Sequence, residues 1–192
     1  MIGKLFLIVG PSGVGKGTLI NELRARHPEF YFPISVTTRP IRKNEKAGEQ
    51  YFFVSDDEFA ELKQENKFLE TALVHATEKY GTLREPIEEA IHAGQTVIRE
   101  VDIQGLRSIQ NALDQKHLVS IFLAPPSFEI LTKRIHKRQP NMSAEELNRR
   151  LASAKKELAH KNLADFEVIS EEGAIDKMVA AVEKIIADAT KN

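Results

Sequence analysis

The sequence predicts an α/β protein, a central parallel sheet flanked by helices, and three observations predict it. Short, continuous apolar runs, of which KLFLIV (Lys4 to Val9) and VSIFLAP (Val119 to Pro125) are the clearest, have the length of strands buried on both faces. Each core run is followed by a stretch with helical spacing, and strands alternating with helices build a parallel sheet covered on both sides. The first run ends in a glycine-rich turn, Gly10-Pro11-Ser12-Gly13, at the carboxyl end of its strand. Open α/β sheets bind their ligands at that end.

The elements follow in order. From Lys16 the pattern is helical, with Leu19, Ile20 and Leu23 on one face and a stop at His27-Pro28. YFPISVTTRP is extended and runs into a polar, basic loop, TTRPIRKNEKAGEQ. After YFFVS, Ser55 and Glu58 form a capping box for the helix that carries Phe59 and Leu62. REPIEEAIHAG is a helix with Pro86 in its first turn and Gly94 as its stop. TVIREV is a further core strand. Ser143 and Glu146 are spaced as a second capping box, opening AEELNRRLASAKKELAH. After FEVIS, a last amphipathic helix places Ile175, Met178, Val179, Val182 and Ile186 on one side.

At 192 residues, one domain with small inserted lobes is expected. A net charge of −1 creates no global field toward nucleic acid or membrane, so neither is expected as a partner. The absence of cysteine excludes disulfides and thiolate metal sites and suits a reducing cytoplasm. The apolar start is too short to span a bilayer and lacks a cleavage site. The six histidines, His75, His92, His136 and His160 among them, show no metal-ligand spacing and read as surface or packing residues.

The stretch IVGPSGVGKGTL matches G-x-x-x-x-G-K-[ST] at Gly10, Gly15 and Lys16, but Gly17 stands where a hydroxyl is expected, and Thr18 follows one place late. Glycines let backbone N–H groups close on phosphate oxygens, and the helix that follows adds a favourable dipole. Gly10, Pro11, Ser12, Gly13, Val14, Gly15, Lys16, Gly17 and Thr18 are therefore the expected ATP-binding loop, with Lys16 as a mobile charge on the β- and γ-phosphates. Gly17 removes the usual direct side-chain ligand for Mg²⁺, so the metal is expected on phosphates, water and an acid elsewhere. The same GKGT ending is familiar from adenylate kinases.

Other stretches supply the rest of a site. SVTTRPIR carries Ser35, Thr38, Arg39 and Arg42, whose two arginines can fork onto a second phosphate, and Tyr51 offers a hydroxyl to the same group. FLETALVHATEKYGT adds Glu70, Tyr80 and Thr82. IREVDIQG sets Glu100 and Asp102 two apart at a strand end, facing one way; such a pair can also cap a neighbouring helix. Between Lys133 and Arg150 there are six Lys/Arg and two Glu, a local excess in a nearly neutral chain.

With these residues in view, the chain resembles a guanylate kinase, of the P-loop nucleoside monophosphate kinase fold. GPSGVGKGT, SVTTRPIR, FLETA, YGT, EVDIQG, APPS and RRLASAKKEL occur in family order over roughly residues 4–170. The resemblance implies transfer of the γ-phosphate of ATP to GMP, and to dGMP, in purine nucleotide metabolism. It implies a nucleotide core (1–33, 96–133 and 154–192), an inserted GMP-binding lobe (34–95) and a short lid (134–153). It puts Glu70 and Asp102 on the guanine base with Ser35 and Thr82 as hydroxyl partners, and Arg39, Arg42, Tyr51 and Tyr80 on the GMP phosphate, with Thr38 in the same binding set. Chemistry agrees, since the Watson–Crick edge of guanine presents N1–H and N2–H₂ donors that carboxylates accept, and such a site discriminates by roughly 10⁴. Arg134, Arg138 and Arg150 match the family's lid and transfer arginines, with Lys16 and Arg39 completing the catalytic set. Arg149 reads as part of a solvated face. Glu100 is expected to hold Mg²⁺ through water.

The family pattern is broken in three places. TALVHATEK is one residue longer than usual before Tyr80, and Thr-Glu-Lys-Tyr replaces the customary Gly-Asn-Tyr-Tyr. HKRQPNMS lacks the glycines that flank the second lid arginine, and VISEEGAID has Ser170 and two glutamates where Asn-Asp-Asp is common. Kinases of other phosphate esters, such as a ribose bisphosphate, would dispense with the base-reading groups. Scaffold modules of guanylate-kinase type typically have eroded phosphate loops and sit beside other domains, whereas Lys16 is intact here.

Overall fold

Strand β1 (Lys4–Val9) is the spine of the molecule, hydrogen-bonded in parallel to β6 (Thr96–Glu100) on one side and to β7 (Leu118–Ala124) on the other. A computed structural model of the chain describes residues 3–42, 45–49, 51–74 and 78–191. With β8 (Phe166–Ile169) at its edge, the core sheet runs β6-β1-β7-β8, all parallel.

Alternation along β1 explains its unbroken apolar sequence. Phe6 and Ile8 face one helical layer: α1 (Lys16–Arg26), α5 (Phe128–Arg138), α6 (Ala144–Leu158) and α7 (Ile175–Thr190). Leu5, Leu7 and Val9 face the other, made of α3 (Glu85–His92) and α4 (Ile103–Ala112). All five side chains are fully buried, so neither face of the strand tolerates a polar residue. The final helix buries Met178, Val179, Val182 and Ile186, as its spacing predicts.

A second sheet was not legible in the sequence. It runs β3-β2-β5-β4, from β2 (Ser35–Thr37), β3 (Tyr51–Phe53), β4 (Phe68–Val74) and β5 (Glu78–Leu83). Strands β4 and β5 pair antiparallel, as do β2 and β5, while β2 and β3 run parallel. FLETALV and EKYGTL carry polar residues at positions that line a cleft rather than a core, which hides their strand character. Helix α2 (Asp56–Gln64) covers this sheet through Phe59, which stacks on Phe68 with ring centroids 4.7 Å apart. Gly81 is required beneath that pair, because a Cβ there would stand 2.6 Å from the Phe68 ring. The lengthened stretch before Tyr80, His75 included, falls partly outside the described residues.

The capping box at Ser55 is complete, with Glu58 bonding back to the Ser55 amide at 2.7 Å. At Ser143 only half of one forms. The hydroxyl accepts from the Glu146 amide, but the Glu146 carboxylate instead takes Arg150, one turn on. A charged partner at 2.7 Å outcompetes an amide for the same carboxylate.

Candidate active site

The turn after β1 wraps into a cradle because three of its glycines have positive φ: Gly10 (144°), Gly13 (84°) and Gly15 (113°). Side chains at these angles would be strained, and at Gly10 a Cβ would also strike the Leu123 carbonyl at 2.5 Å. The turn delivers Lys16 to the first position of α1, beneath a helix N-terminus with its unpaired N–H groups. Lys16 Nζ donates to the Gly10 carbonyl at 2.5 Å and lies 3.6 Å from Glu100 Oε1. Nothing lies within 4 Å of where a Cβ on Gly17 would stand.

A cleft of about 780 Å³ opens over this loop, bounded also by Glu100, Asp102, Arg134, Arg138 and Glu157. Arg134 is held from below: its guanidinium donates to the Ser170 hydroxyl at 3.1 Å and the Ser170 carbonyl at 2.9 Å. Ser170, in the stretch that departs from the family pattern, thus fixes an arginine over the loop. Arg138, at the end of α5, is exposed and reaches the same cleft.

A second cleft of about 390 Å³ lies between the two sheets, lined by Ser35, Tyr51, Glu70, Tyr80, Arg99 and Asp102 with Lys16 and Glu100. The two clefts therefore meet at Lys16, Glu100 and Asp102. Glu70 is 8% exposed and its Oε1 accepts from the Thr82 hydroxyl at 2.5 Å. Burial pushes the Glu70 carboxyl above its ordinary value, against the opposing pull of Thr82 and Arg99. Thr82 is fully buried behind Glu70 and acts on the cleft through it. Asp102 does two things: it caps α4 by accepting from the Gly105 amide at 2.7 Å, and it stands on the wall of both clefts. The helix-capping reading of the acidic pair is thus realised without removing Asp102 from the site.

The residues expected to take the acceptor's phosphate are arranged less simply. Arg39 is 5% exposed and grips Glu45 with both terminal nitrogens, at 2.9 and 2.8 Å, while its Nε donates to the Tyr80 hydroxyl at 3.2 Å. The Glu45 hydrogen bonds raise the Arg39 guanidinium further above its usual value and lower the Glu45 carboxyl. The guanidinium also lies over the Tyr51 ring, 5.4 Å from its centroid. Arg42 is exposed, its amide donating to Glu45 at 2.9 Å. The Thr38 hydroxyl accepts from the Lys79 amide at 3.1 Å, which ties β5 to the segment after β2 that bears Arg39. Arg150 is paired to Glu146 and lines neither cleft.

Two site residues escaped sequence reasoning. Arg99 lines the second cleft from β6, donating to Ser35 Oγ at 2.7 Å and standing 3.9 Å from Glu70. Its signal was present: Arg99 interrupts the core run TVIREV just before Glu100, and a charge buried there needs a partner. Glu157, on α6, borders the first cleft; burial raises its carboxyl, opposed by Lys16. Only the packing of α6 over the loop brings it there. Among the described residues, no cluster of three or more His, Cys, Asp or Glu could hold a metal by itself, and no helix is long and apolar enough to cross a membrane.

Comparisons with known proteins agree on one group. The guanylate kinase family model matches residues 2–189. A guanylate kinase from Bifidobacterium longum (strain NCC 2705) is 41% identical over 187 residues, covering 96% of this chain and 94% of that protein. One from Prochlorococcus marinus (strain MIT 9313) is 43% identical over 169 residues, covering 88% and 87%. The crystal structure of guanylate kinase from Anaplasma phagocytophilum superposes with a TM-score of 0.77 at 28% identity, over 100% of this chain and 88% of that one.

Proposed function

We propose a division of labour among the site residues from one premise: the chain belongs to the guanylate kinase family, and it transfers the γ-phosphate of ATP to GMP, giving ADP and GDP. The observation that carries the proposal is the meeting of two clefts at Lys16, Glu100 and Asp102, one over a phosphate-binding loop and one lined by carboxylates suited to guanine.

ATP lays its phosphates on the loop from Gly10 to Thr18, where the amides of the turn and the start of α1 donate to them. Lys16 leaves the Gly10 carbonyl for the β- and γ-phosphates, which are better acceptors. GMP enters the second cleft. Glu70 and Asp102 accept from N1–H and N2–H₂ of the base, and Ser35 donates to O6. Tyr51, Tyr80, Arg39 and Arg42 take the phosphate, which must draw Arg39 away from Glu45. One oxygen of that phosphate attacks the γ-phosphorus as the bond to the β-phosphate oxygen breaks, and ADP departs. The attacking oxygen is already anionic, so no general base is needed. Arg134, held over the loop, offsets the charge on the transferring group. Arg138 and Arg150 join it when residues 134–153 close over residues 34–95 and the core, which also excludes water.

The donor set fits Mg²⁺. The Glu100 carboxylate, 45% exposed beside Lys16, is a hard oxygen donor on the shared wall, and the open space at Gly17 leaves room for a hydrated ion. When bound with ATP, the metal supplies charge neutralisation at the phosphates; Glu100 would hold it through water. The substrate class extends to dGMP, because the groups assigned to the acceptor address its base and phosphate. A cysteine-free chain of this activity belongs in the cytoplasm.

The test is ADP release from ATP and Mg²⁺ with GMP, dGMP, AMP, CMP, UMP or ribose 1,5-bisphosphate offered separately. Turnover with GMP and dGMP alone supports the assignment; equal turnover with AMP would remove the carboxylates from the base.

A further inference from the structure

We infer that Arg99 determines specificity for the 6-oxo group of the purine, holding the Ser35 hydroxyl as a donor toward O6 and standing as a positive charge against a 6-amino group. The inference rests on the guanine reading of the second cleft and adds a residue that neither the motif pattern nor the reaction requires.

The geometry is specific. Arg99 extends from β6 into the joint between the two sheets, with its side chain 16% exposed. Nη2 donates to Ser35 Oγ at 2.7 Å, Nη1 donates to the Pro33 carbonyl at 3.4 Å, and the Glu70 carboxylate lies 3.9 Å away. Nε is buried without a partner, so the guanidinium is not fully satisfied by the protein. A guanidinium only donates. Ser35 Oγ is thereby fixed as acceptor toward Arg99, and its own proton is directed elsewhere, on the wall of the cleft it lines.

Glu70 and Asp102 read the donors of guanine, but carboxylates alone leave O6 unread. At that position guanine presents an acceptor and adenine a donor. A hydroxyl that can turn either way does not discriminate between them; one polarised by a cation does. The same charge also favours the ionised form of Glu70, which burial opposes. Burial likewise lowers the Arg99 guanidinium below its ordinary value, against the opposing pull of Glu70. Removing Arg99 therefore acts on both halves of the base-reading edge.

The experiment measures kcat/KM for GMP and the inhibition constant of 2,6-diaminopurine riboside 5′-monophosphate, which replaces the oxo group with an amine. In Arg99→Met, kcat/KM for GMP falls by about 10–100-fold, the magnitude of one charge-assisted hydrogen bond, while the diamino nucleotide binds as before or more tightly. The acid limb of the GMP pH profile moves to higher pH, and Arg99→Lys lies between. Ser35→Ala, which keeps the guanidinium in place, reproduces the selective loss without the pH shift. Equal loss for both nucleotides would reduce Arg99 to a brace between the sheets and overturn the inference, as would an unchanged ratio. The wild-type protein is its own control: failure to phosphorylate GMP would overturn the guanine reading itself.

Discussion

Replacing Glu70 by Gln separates binding from stability in one substitution. The side chain keeps its shape, so the Thr82 hydroxyl retains an acceptor and the sheet is undisturbed. What is lost is a charged acceptor for two donors of the base. Charge-assisted hydrogen bonds contribute about 1.5–3 kcal/mol each, and the amide preserves one acceptor while turning an NH₂ group toward guanine. The net loss is about 3–4 kcal/mol, or roughly 10²–10³ in kcat/KM for GMP. Stability should move the other way. Burial raises the Glu70 carboxyl in the folded protein, so its contribution is present below the unfolded value and lost as pH rises through the folded one. At neutral pH the ionised group therefore weakens the fold, and the variant should unfold at the same temperature as the wild type or higher. Steady-state ADP release and thermal unfolding at pH 7 give both numbers. The wild-type profile should show an acid limb for GMP that the variant lacks. A kcat/KM within about threefold of wild type, in a variant that still folds, would refute the guanine assignment.

Four further outcomes follow from other parts of the molecule. Lys16→Met should lower turnover by more than about 10³-fold with little change in unfolding temperature, because its charge acts on phosphates rather than on the core. Gly17→Ser should fold normally, since nothing lies within 4 Å of its Cβ, and should lower the Mg²⁺ concentration needed for half-maximal rate by restoring a hydroxyl ligand. Gly13→Ala should lower the unfolding free energy measured in urea by about 1–3 kcal/mol, since φ is +84° and the new Cβ would stand 2.9 Å from the Ile135 side chain. His27, between Glu183 and Glu29 at 3.0 Å each, is lowered by burial but raised more by the two carboxylates, so it lies above 6.5. Its stabilisation is full below 6.5 and lost as pH rises through the folded value; His27→Gln should flatten that part of the unfolding-temperature profile.

The sequence by itself determined the core. An apolar strand, a glycine-rich turn and a helix are local features, and the run from Lys4 to Val9 needs only its own composition to predict burial on both sides. The phosphate loop was legible for the same reason, since every group it uses lies within a dozen residues. Glu70, Asp102 and Ser35 were grouped only through the family resemblance, because Ser35 and Glu70 come from two strands of the second sheet and Asp102 from the N-cap of α4, and no periodicity links them. The second sheet stayed hidden because one side of it is a cleft rather than a core, and polar residues there dilute the alternation that marks a strand. Only the tertiary structure decided that Asp102 caps α4 while facing both clefts, and that Arg39 is held by Glu45. It alone placed Arg99, from the core strand β6, beside Ser35 and Glu70. Those facts depend on which elements pack against one another, and burial makes such contacts strong enough to set the chemistry of the site.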